Sequence, residues 1–356
     1  MSIASKPVSK KETHSRIDRH PDYYKTKVRY LSIDVFRGLT LLAMIFVNSL
    51  GNYTTTPAWS KHAIDFGLTY VDLVAPFFIF AIGLTYKMTF DRYVKTEGLF
   101  KAYLRVLRRY AAFLGFGFLG SISFSPDGIN FGWGVLQAIG LAGIFTMFFI
   151  QLPRIYRFLL GFIFLEVYQF IISLSLNLDG ILVSISNLGF GDDHGGFIGG
   201  FGFGAMMLLS TAIVDNFKET DKLEFLIFGS IFSVLGAGLH YLWKFTGFPT
   251  YGGLSKLRVT HSYVLLTIGL AAIVCWLLWL IYDFYALTKR KSYILQLPGK
   301  NAFFLFVLQP LFTILLFIYL KENIHVAFVF LIGAFNVAAI WTISYFLDKK
   351  KIYIII

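Results

Sequence analysis

Three scarcities narrow the reading of this sequence. Charge is the first. Only 15% of the 356 residues are Asp, Glu, Lys or Arg, where a soluble globular chain carries roughly 25%. Hydrophobic residues instead make up 56% and aromatic residues 19%, with a mean hydropathy of +0.67. That composition excludes an ordinary soluble domain and points to a bilayer. Cysteine is the second scarcity. Cys275 stands alone inside an apolar run, so it makes no intramolecular disulfide, is a poor metal ligand, and reads as a small packing residue. The third is the lack of soluble-enzyme motifs: no P-loop, no metal-ligand spacing and no GxSxG elbow. No internal repeat is visible, which argues against an inverted-repeat transporter. No cleavable signal peptide is visible either, because the first apolar run begins near residue 38.

What is present is a succession of long apolar runs. A spanning helix needs about 20 mainly apolar residues. Ten runs qualify: 31–50, 67–90, 105–124, 133–151, 155–177, 195–214, 222–241, 261–285, 299–319 and 325–346. Pro, Gly, Asp, Asn or clustered Lys and Arg separate them, as expected of loop ends. The expectation is an all-α, polytopic membrane bundle of about ten helices over residues 30–356, behind a basic, disordered tail at 1–29. The net charge of +12 needs no nucleic acid to explain it. Of the 32 Lys and Arg, 26 fall in loops on one side of this bundle and five on the other. The positive-inside rule then places both termini in the cytoplasm. GGFIGGFGFGAMM (195–207) is glycine-dense but follows no strand. Gly196, Gly200 and Gly204 share one helix face and read as a packing seam.

Ionisable groups inside spanning segments are costly and are functional candidates by default. Asp34 and Arg37 lie three apart, on one face near the start of the first run. The bland account is an ion pair that snorkels to the interface. Asn48 closes the same run before Gly51 and would serve equally as a helix cap. Arg37 and Asn48 are separated along the axis by roughly 16 Å. His62 follows in a short loop, and Asp72 stands in the first turns of the second run. A lone loop histidine is usually idle, and a lone helical acid usually packs.

The order of these residues changes that weighting. LSIDVFRGLTLLAMIFVN, then KHA and GLTYVDLVAPFFIFAIG, resembles the start of the transmembrane acetyltransferase family that includes heparan-α-glucosaminide N-acetyltransferase. GVLQAIGLA (134–142), LSKLRVTHSYVLLTIGLA (254–271) and GKNAF (299–303) are similar to later family segments in the same order. The resemblance implies an enzyme that takes an acetyl group from cytoplasmic acetyl-CoA and passes it to an acceptor across the membrane. It makes His62 the catalytic histidine and maps the asparagine of the family's V-N pair onto Asn48; Asp72 or Asp65 would orient the imidazole. It maps the D-x-F-R-G block onto Asp34, Phe36, Arg37 and Gly38. Asp34, Arg37, Gln137 and Asn301 become the expected donor-binding residues, and Asp65, Lys256, Thr260 and His261 the expected acceptor-binding ones. The chain departs from the family at Asp65-Phe66, where Trp-Asn is usual, at Arg258-Val259, where Leu-Trp is usual, and at Ala138, where Arg is usual. Those departures bear on the acceptor more than on the chemistry.

Arg37, with Arg105, Arg108 or Lys300, would meet the phosphates of CoA. Pantetheine would lie along the first helix and bring the thioester to Asn48 and His62. His62 acts as general base, or carries the acetyl group itself, and Asn48 stabilises the oxyanion. No metal is expected. The expected partners are acetyl-CoA, an amino sugar or glycan, and the lipid bilayer, with no nucleic acid; a homodimer is left open. A plasma-membrane location is expected. O-acylation of a surface polysaccharide or lipid-linked sugar is the alternative within this chemistry. A secondary transporter lined by Asp34, Arg37, His62 and Asp72 is the alternative outside it.

Overall fold

The computed structural model describes residues 30–354, apart from 52, 126–127, 179–180, 185–192, 220–221, 286–291 and 321. The tail expected at 1–29 lies outside the described residues. Eleven α-helices appear in chain order: α1 Leu31–Leu50, α2 Tyr70–Glu97, α3 Leu99–Gly120, α4 Val135–Phe149, α5 Arg154–Ser173, α6 Gly196–Glu219, α7 Lys222–Thr246, α8 His261–Trp279, α9 Ser292–Lys300, α10 Ala302–Tyr319 and α11 Val326–Lys349. Each of the ten expected runs coincides with one of them. Two short antiparallel hairpins were not legible as such: β1 Ile122–Ser125 with β2 Gly128–Phe131, and β3 Ser175–Leu178 with β4 Ile181–Ser184.

Among the described residues, seven of the helices are long and apolar enough to cross a membrane, or eight if the bent pair α9–α10 counts as one span. The architecture is thus a multi-pass helical bundle with fewer qualifying spans than ten. The difference lies in α3 and α4. The first half of α3 carries Lys101, Arg105, Arg108 and Arg109. With 15 residues α4 is about 22 Å long, short of the roughly 30 Å hydrocarbon core.

At one end of the bundle a carboxylate starts the first helix. A π-helical turn, Leu280–Phe284, continues α8 and ends near the start of α1. There the backbone N–H groups of Leu31 and Ser32 donate to Asp283 at 2.9 and 3.0 Å. These are two of the N–H groups that a helix start leaves unsatisfied, and an acid there also complements the helix dipole. Helix α9 crosses α1 so closely that a Cβ at Gly38 would lie 1.7 Å from the Leu295 carbonyl oxygen. Only glycine permits that approach.

The glycine-dense run forms the start of α6, as a packing seam. A Cβ at Gly200 would meet Leu141 at 2.5 Å and one at Gly204 would meet Phe145 at 2.6 Å, so these two positions hold α6 against α4. Gly196 does not share that task; it opens the helix with φ 57°. Buried Arg157 of α5 pairs with Asp215 of α6, which ties the same group of helices together.

Because α1 and α2 are antiparallel and joined by residues 51–69, Asn48, His62 and Asp72 gather at one end of the bundle. Asp34 and Arg37 lie at the other, where α3 also begins. This separation of two polar ends by an apolar body frames the site.

Candidate active site

Helix α2 begins with Asp72 folded back on its own N-terminus. One carboxylate oxygen, Oδ2, accepts from Thr69 N at 2.9 Å, Thr69 Oγ1 at 3.0 Å and Ala63 N at 3.2 Å. The single Thr69 hydroxyl proton is shared between Oδ2 and the Lys61 carbonyl, 2.8 Å from Oγ1, which folds the 61–69 loop over the helix start. The other oxygen, Oδ1, lies 2.7 Å from His62 Nδ1. Asp72 is fully buried, whereas the His62 side chain is 44% exposed. An ionised carboxylate only accepts, so Nδ1 of His62 carries the donated proton. Nε2 is then left as the lone pair, and no hydrogen bond to it occurs among the described residues. A fixed acid holding one face of an imidazole while the other stays open is the arrangement a general base requires. Tyr263 Oη donates to the Asp72 carbonyl at 2.6 Å and fastens the unit to α8.

Three loops converge beside it. Gly67 N donates to the Leu254 carbonyl at 2.8 Å. Arg258 grips Asp65 through two nitrogens, Nη2 to Oδ2 at 2.8 Å and Nε to Oδ1 at 3.0 Å, and Ser255 Oγ adds a third contact at 3.0 Å. The two positions where this chain departs from its family resemblance in opposite charge thus pair with each other. Phe66 stacks on Trp243 at 4.4 Å between ring centroids, with the Arg258 guanidinium 5.2 Å from the Phe66 ring. Phe66, Trp243, Gln169, Ser173, Arg258 and Thr260 line a cavity of about 220 Å³.

Of the other residues expected to bind the acceptor, Lys256 is 4% exposed and stands in the same loop as Arg258. Thr260 donates from Oγ1 to the Gly253 carbonyl at 2.6 Å. His261 is buried, with Nδ1 3.1 Å from Glu166 and Nε2 2.7 Å from the Tyr251 carbonyl. Gln169 accepts from the His261 backbone N–H at 3.0 Å. Glu166 and Gln169 escaped the sequence reading, although an acid in the apolar run of α5 was the available signal. Nothing local marked His194, which lies buried in the turn Asp193–Gly195 before α6.

Asn48 is exposed near the C-terminal end of α1, and its Nδ2 donates to Gln309 Oε1 of α10 at 3.3 Å. Gln309 passes the chain on, from Nε2 to Thr313 Oγ1 at 2.9 Å.

At the opposite end, Arg37 and Asp34 form an ion pair at 3.3 Å, and Gln296 of α9 donates to Asp34 at 3.4 Å. Lys101, Arg105, Arg108 and Arg109 surround a cavity of about 370 Å³ together with Glu97, which pairs with Arg105 at 2.8 Å. An apolar cleft of about 280 Å³ between α1 and α2 is lined by residues from Phe36 and Thr40 to Tyr70. Its lining runs from Phe36, next to Arg37 in the chain, to Tyr70, whose Oη meets Ser60 Oγ at 2.5 Å, with Val274 of α8 closing one side.

Of the other two expected donor-binding residues, Gln137 stands apart from Arg37, whereas Asn301 follows Gly299, where a Cβ would lie 3.4 Å from Arg37 Nε. Gln137 sits at the far end, its amide donating to Ser121 Oγ at 3.0 Å and the Gly132 carbonyl at 3.1 Å. Asn301 marks the 94° bend between α9 and α10 and holds the C-terminal segment, donating to the Ile352 carbonyl at 3.1 Å and accepting from Ile354 N at 2.8 Å. Lys300 beside it pairs with Asp348 at 2.6 Å.

The family model described as heparan-alpha-glucosaminide N-acetyltransferase, catalytic, matches residues 29–192 of the chain. The matched region contains Asp34, Arg37, Asn48, His62, Asp65, Asp72 and Gln137, and ends before His194, Lys256, Thr260, His261 and Asn301. No curated protein sequence matches the chain.

Proposed function

We propose that this chain, which belongs to the heparan-alpha-glucosaminide N-acetyltransferase-like family over residues 29–192, moves an acetyl group from acetyl-CoA across the membrane to an amine of an amino sugar. Membership implies a membrane acetyltransferase. The donor, the sidedness and the histidine base are the further reading. The observation that carries it is the His62–Asp72 pair, with one buried and saturated carboxylate holding a half-exposed imidazole.

The donor is supplied at the end bearing Arg37, which the basic residues of the loops make the cytoplasmic face. Guanidinium groups of Arg37, Arg105 and Arg108 suit the phosphates and the adenylate end of CoA. The cleft between α1 and α2 gives the thioester arm a path towards Asn48. Asn301 and Gln137 frame the two ends of this path. The acceptor comes from the other side, where Asp65, Lys256, Thr260 and His261 shape its approach. His62 Nε2 takes a proton from the acceptor amine as its nitrogen attacks the thioester carbonyl. The new oxyanion receives the Nδ2–H of Asn48. Collapse breaks the C–S bond, and the proton held by His62 passes to the departing thiolate. Asp72 steadies the imidazolium in between. A plasma-membrane setting with both termini in the cytoplasm completes the proposal.

The test uses purified protein in liposomes of known orientation. Labelled acetyl-CoA is supplied on the tail-bearing face and amino sugars on the other, and mass spectrometry follows the acetylated sugar. Wild type yields product and His62→Ala yields none, while still binding acetyl-CoA. Near wild-type turnover by His62→Ala overturns the role of His62. Failure of the wild type to bind acetyl-CoA overturns the reaction itself.

A further inference from the structure

The turn that leads into α6 holds a histidine for which the mechanism above has no use. His194 is 8% exposed. Its backbone sits at φ 60° and ψ 31°, in the left-handed region that is uncommon for residues other than glycine, histidine being among the more tolerant types. Val259, at φ 51°, is a second such residue, and the two turns are packed together. A Cβ at Gly195 would lie 3.0 Å from Val259 Cγ2 and 3.4 Å from the Leu257 carbonyl oxygen. Tyr168 clamps the same junction by donating to the Arg258 carbonyl at 2.7 Å. Strain of this kind persists where the surroundings impose it, and it collects at functional sites.

The ring itself is unusually placed. Nδ1 is sealed from solvent and has no hydrogen-bond partner among the described residues. Burial, then the charges of Lys256 and His62, hold its pKa well below the ordinary value. His194 is therefore a neutral imidazole, in a turn packed against the loop that carries Leu257 and Val259. A sealed N–H without an acceptor is rarer in proteins than a sealed lone pair. The proton accordingly belongs on Nε2, which makes that atom a fixed donor. The turn packs on the segment that carries Lys256 and Arg258 and, among the described residues, has no hydrogen bond to α1, which carries Asn48, or to α10, which carries its partner Gln309. Its place is on the acceptor's side of the centre.

We infer that His194 is an acceptor-recognition residue: its Nε2–H donates to a hydroxyl oxygen next to the reacting amine, so the site selects a vicinal amino alcohol, as in an amino sugar, over a plain amine. The inference rests on the acyl-transfer reading and deepens it. Lys256, buried beside it, fits the same oxygen-rich acceptor.

The experiment compares glucosamine with cyclohexylamine as acceptors in the liposome assay, for wild type, His194→Gly and His194→Asn. Glycine and asparagine both tolerate the left-handed backbone, so the fold is kept while Nε2 is lost. The expected result is a roughly tenfold fall in the ratio of kcat/KM for glucosamine to that for cyclohexylamine, carried by KM, which is the worth of one neutral hydrogen bond. Acetyl-CoA binding is retained, and free imidazole restores part of the ratio in His194→Gly. A ratio within twofold of wild type in both variants overturns the assignment alone. So does an equal slowing of both amines without imidazole rescue, which marks a structural role. A wild type that acetylates neither amine overturns the amine-acceptor reading and this inference with it.

Discussion

Asp72→Asn isolates the central pair, because the loop dictates how the new amide must sit. Two backbone donors, Thr69 N and Ala63 N, converge on Oδ2 at 2.9 and 3.2 Å. An asparagine must leave its oxygen there, since an NH2 group facing two N–H groups would leave both unsatisfied. The NH2 group then occupies the Oδ1 position, 2.7 Å from His62 Nδ1 in the wild type. It donates, so Nδ1 becomes the acceptor and the ring proton moves to Nε2. The base is thereby lost while the helix start survives, because the amide oxygen at this third helical position still accepts from Thr69 N, the N-cap residue, and from Ala63 N. General-base catalysis is worth about 10²–10⁴ in rate, so kcat falls by that factor, or by about 3–5 kcal/mol in barrier. The loss exceeds what capping alone predicts. Transfer is measured in oriented liposomes beside acetyl-CoA binding, with Thr69→Ala as the control that weakens the cap and leaves the carboxylate. Transfer by Asp72→Asn within threefold of wild type would refute the reasoning and leave Asp72 as a helix cap.

Three further expectations rest on separate features. Asp65→Ala, Arg258→Ala and the double variant form a cycle; the pair is bidentate but about 30% exposed, so the coupling in thermal unfolding is about 1 kcal/mol, and each single change raises the acceptor KM. Complete additivity would show that the pair contributes nothing. Gly38→Ala forces a Cβ towards the Leu295 carbonyl, only 1.7 Å away without movement, so α9 must shift at a cost of about 1–3 kcal/mol, read as a lower melting temperature in detergent. His194 gives an acid-side signature. Its folded pKa lies below its unfolded value near 6.5, so the unfolded chain binds more protons, and stability falls as the pH drops below about 6.5. Melting curves from pH 7 to 5 should show that slope in wild type and a shallower one in His194→Gly.

Much of the site could be read in one dimension, and the reason is local. His62 and Asp72 lie on one short loop and the helix turn it enters, so their partnership needs few long-range contacts. The Asp34–Arg37 pair needs only one turn of helix. Asn48 was visible as a polar residue ending an apolar run, although its partner Gln309 comes from α10. Other assignments depended on distance. Asn301 was expected at the donor, and it holds the last described residues of the chain by two hydrogen bonds. That role requires α11 to return beside the α9–α10 bend, which no local pattern encodes. Gln137 likewise spends its amide on the loop before α4. The number of expected spans exceeded those that qualify because hydropathy windows accept runs whose helices are too basic or too short to cross alone.

The sequence by itself determined the membrane bundle, since scarce charge and long apolar runs leave a chain few other ways to satisfy its backbone. It also made His62 a candidate for the catalytic role, through the order of residues around it. Tertiary structure alone decided which charges meet. Asp65 and Arg258 are 193 positions apart and pair only because α2, α7 and α8 bring their loops to one end. The same packing buries His194 and removes hydrogen-bond partners from Nδ1. Burial and ion pairing are properties of a neighbourhood, and a neighbourhood exists only once the helices have packed.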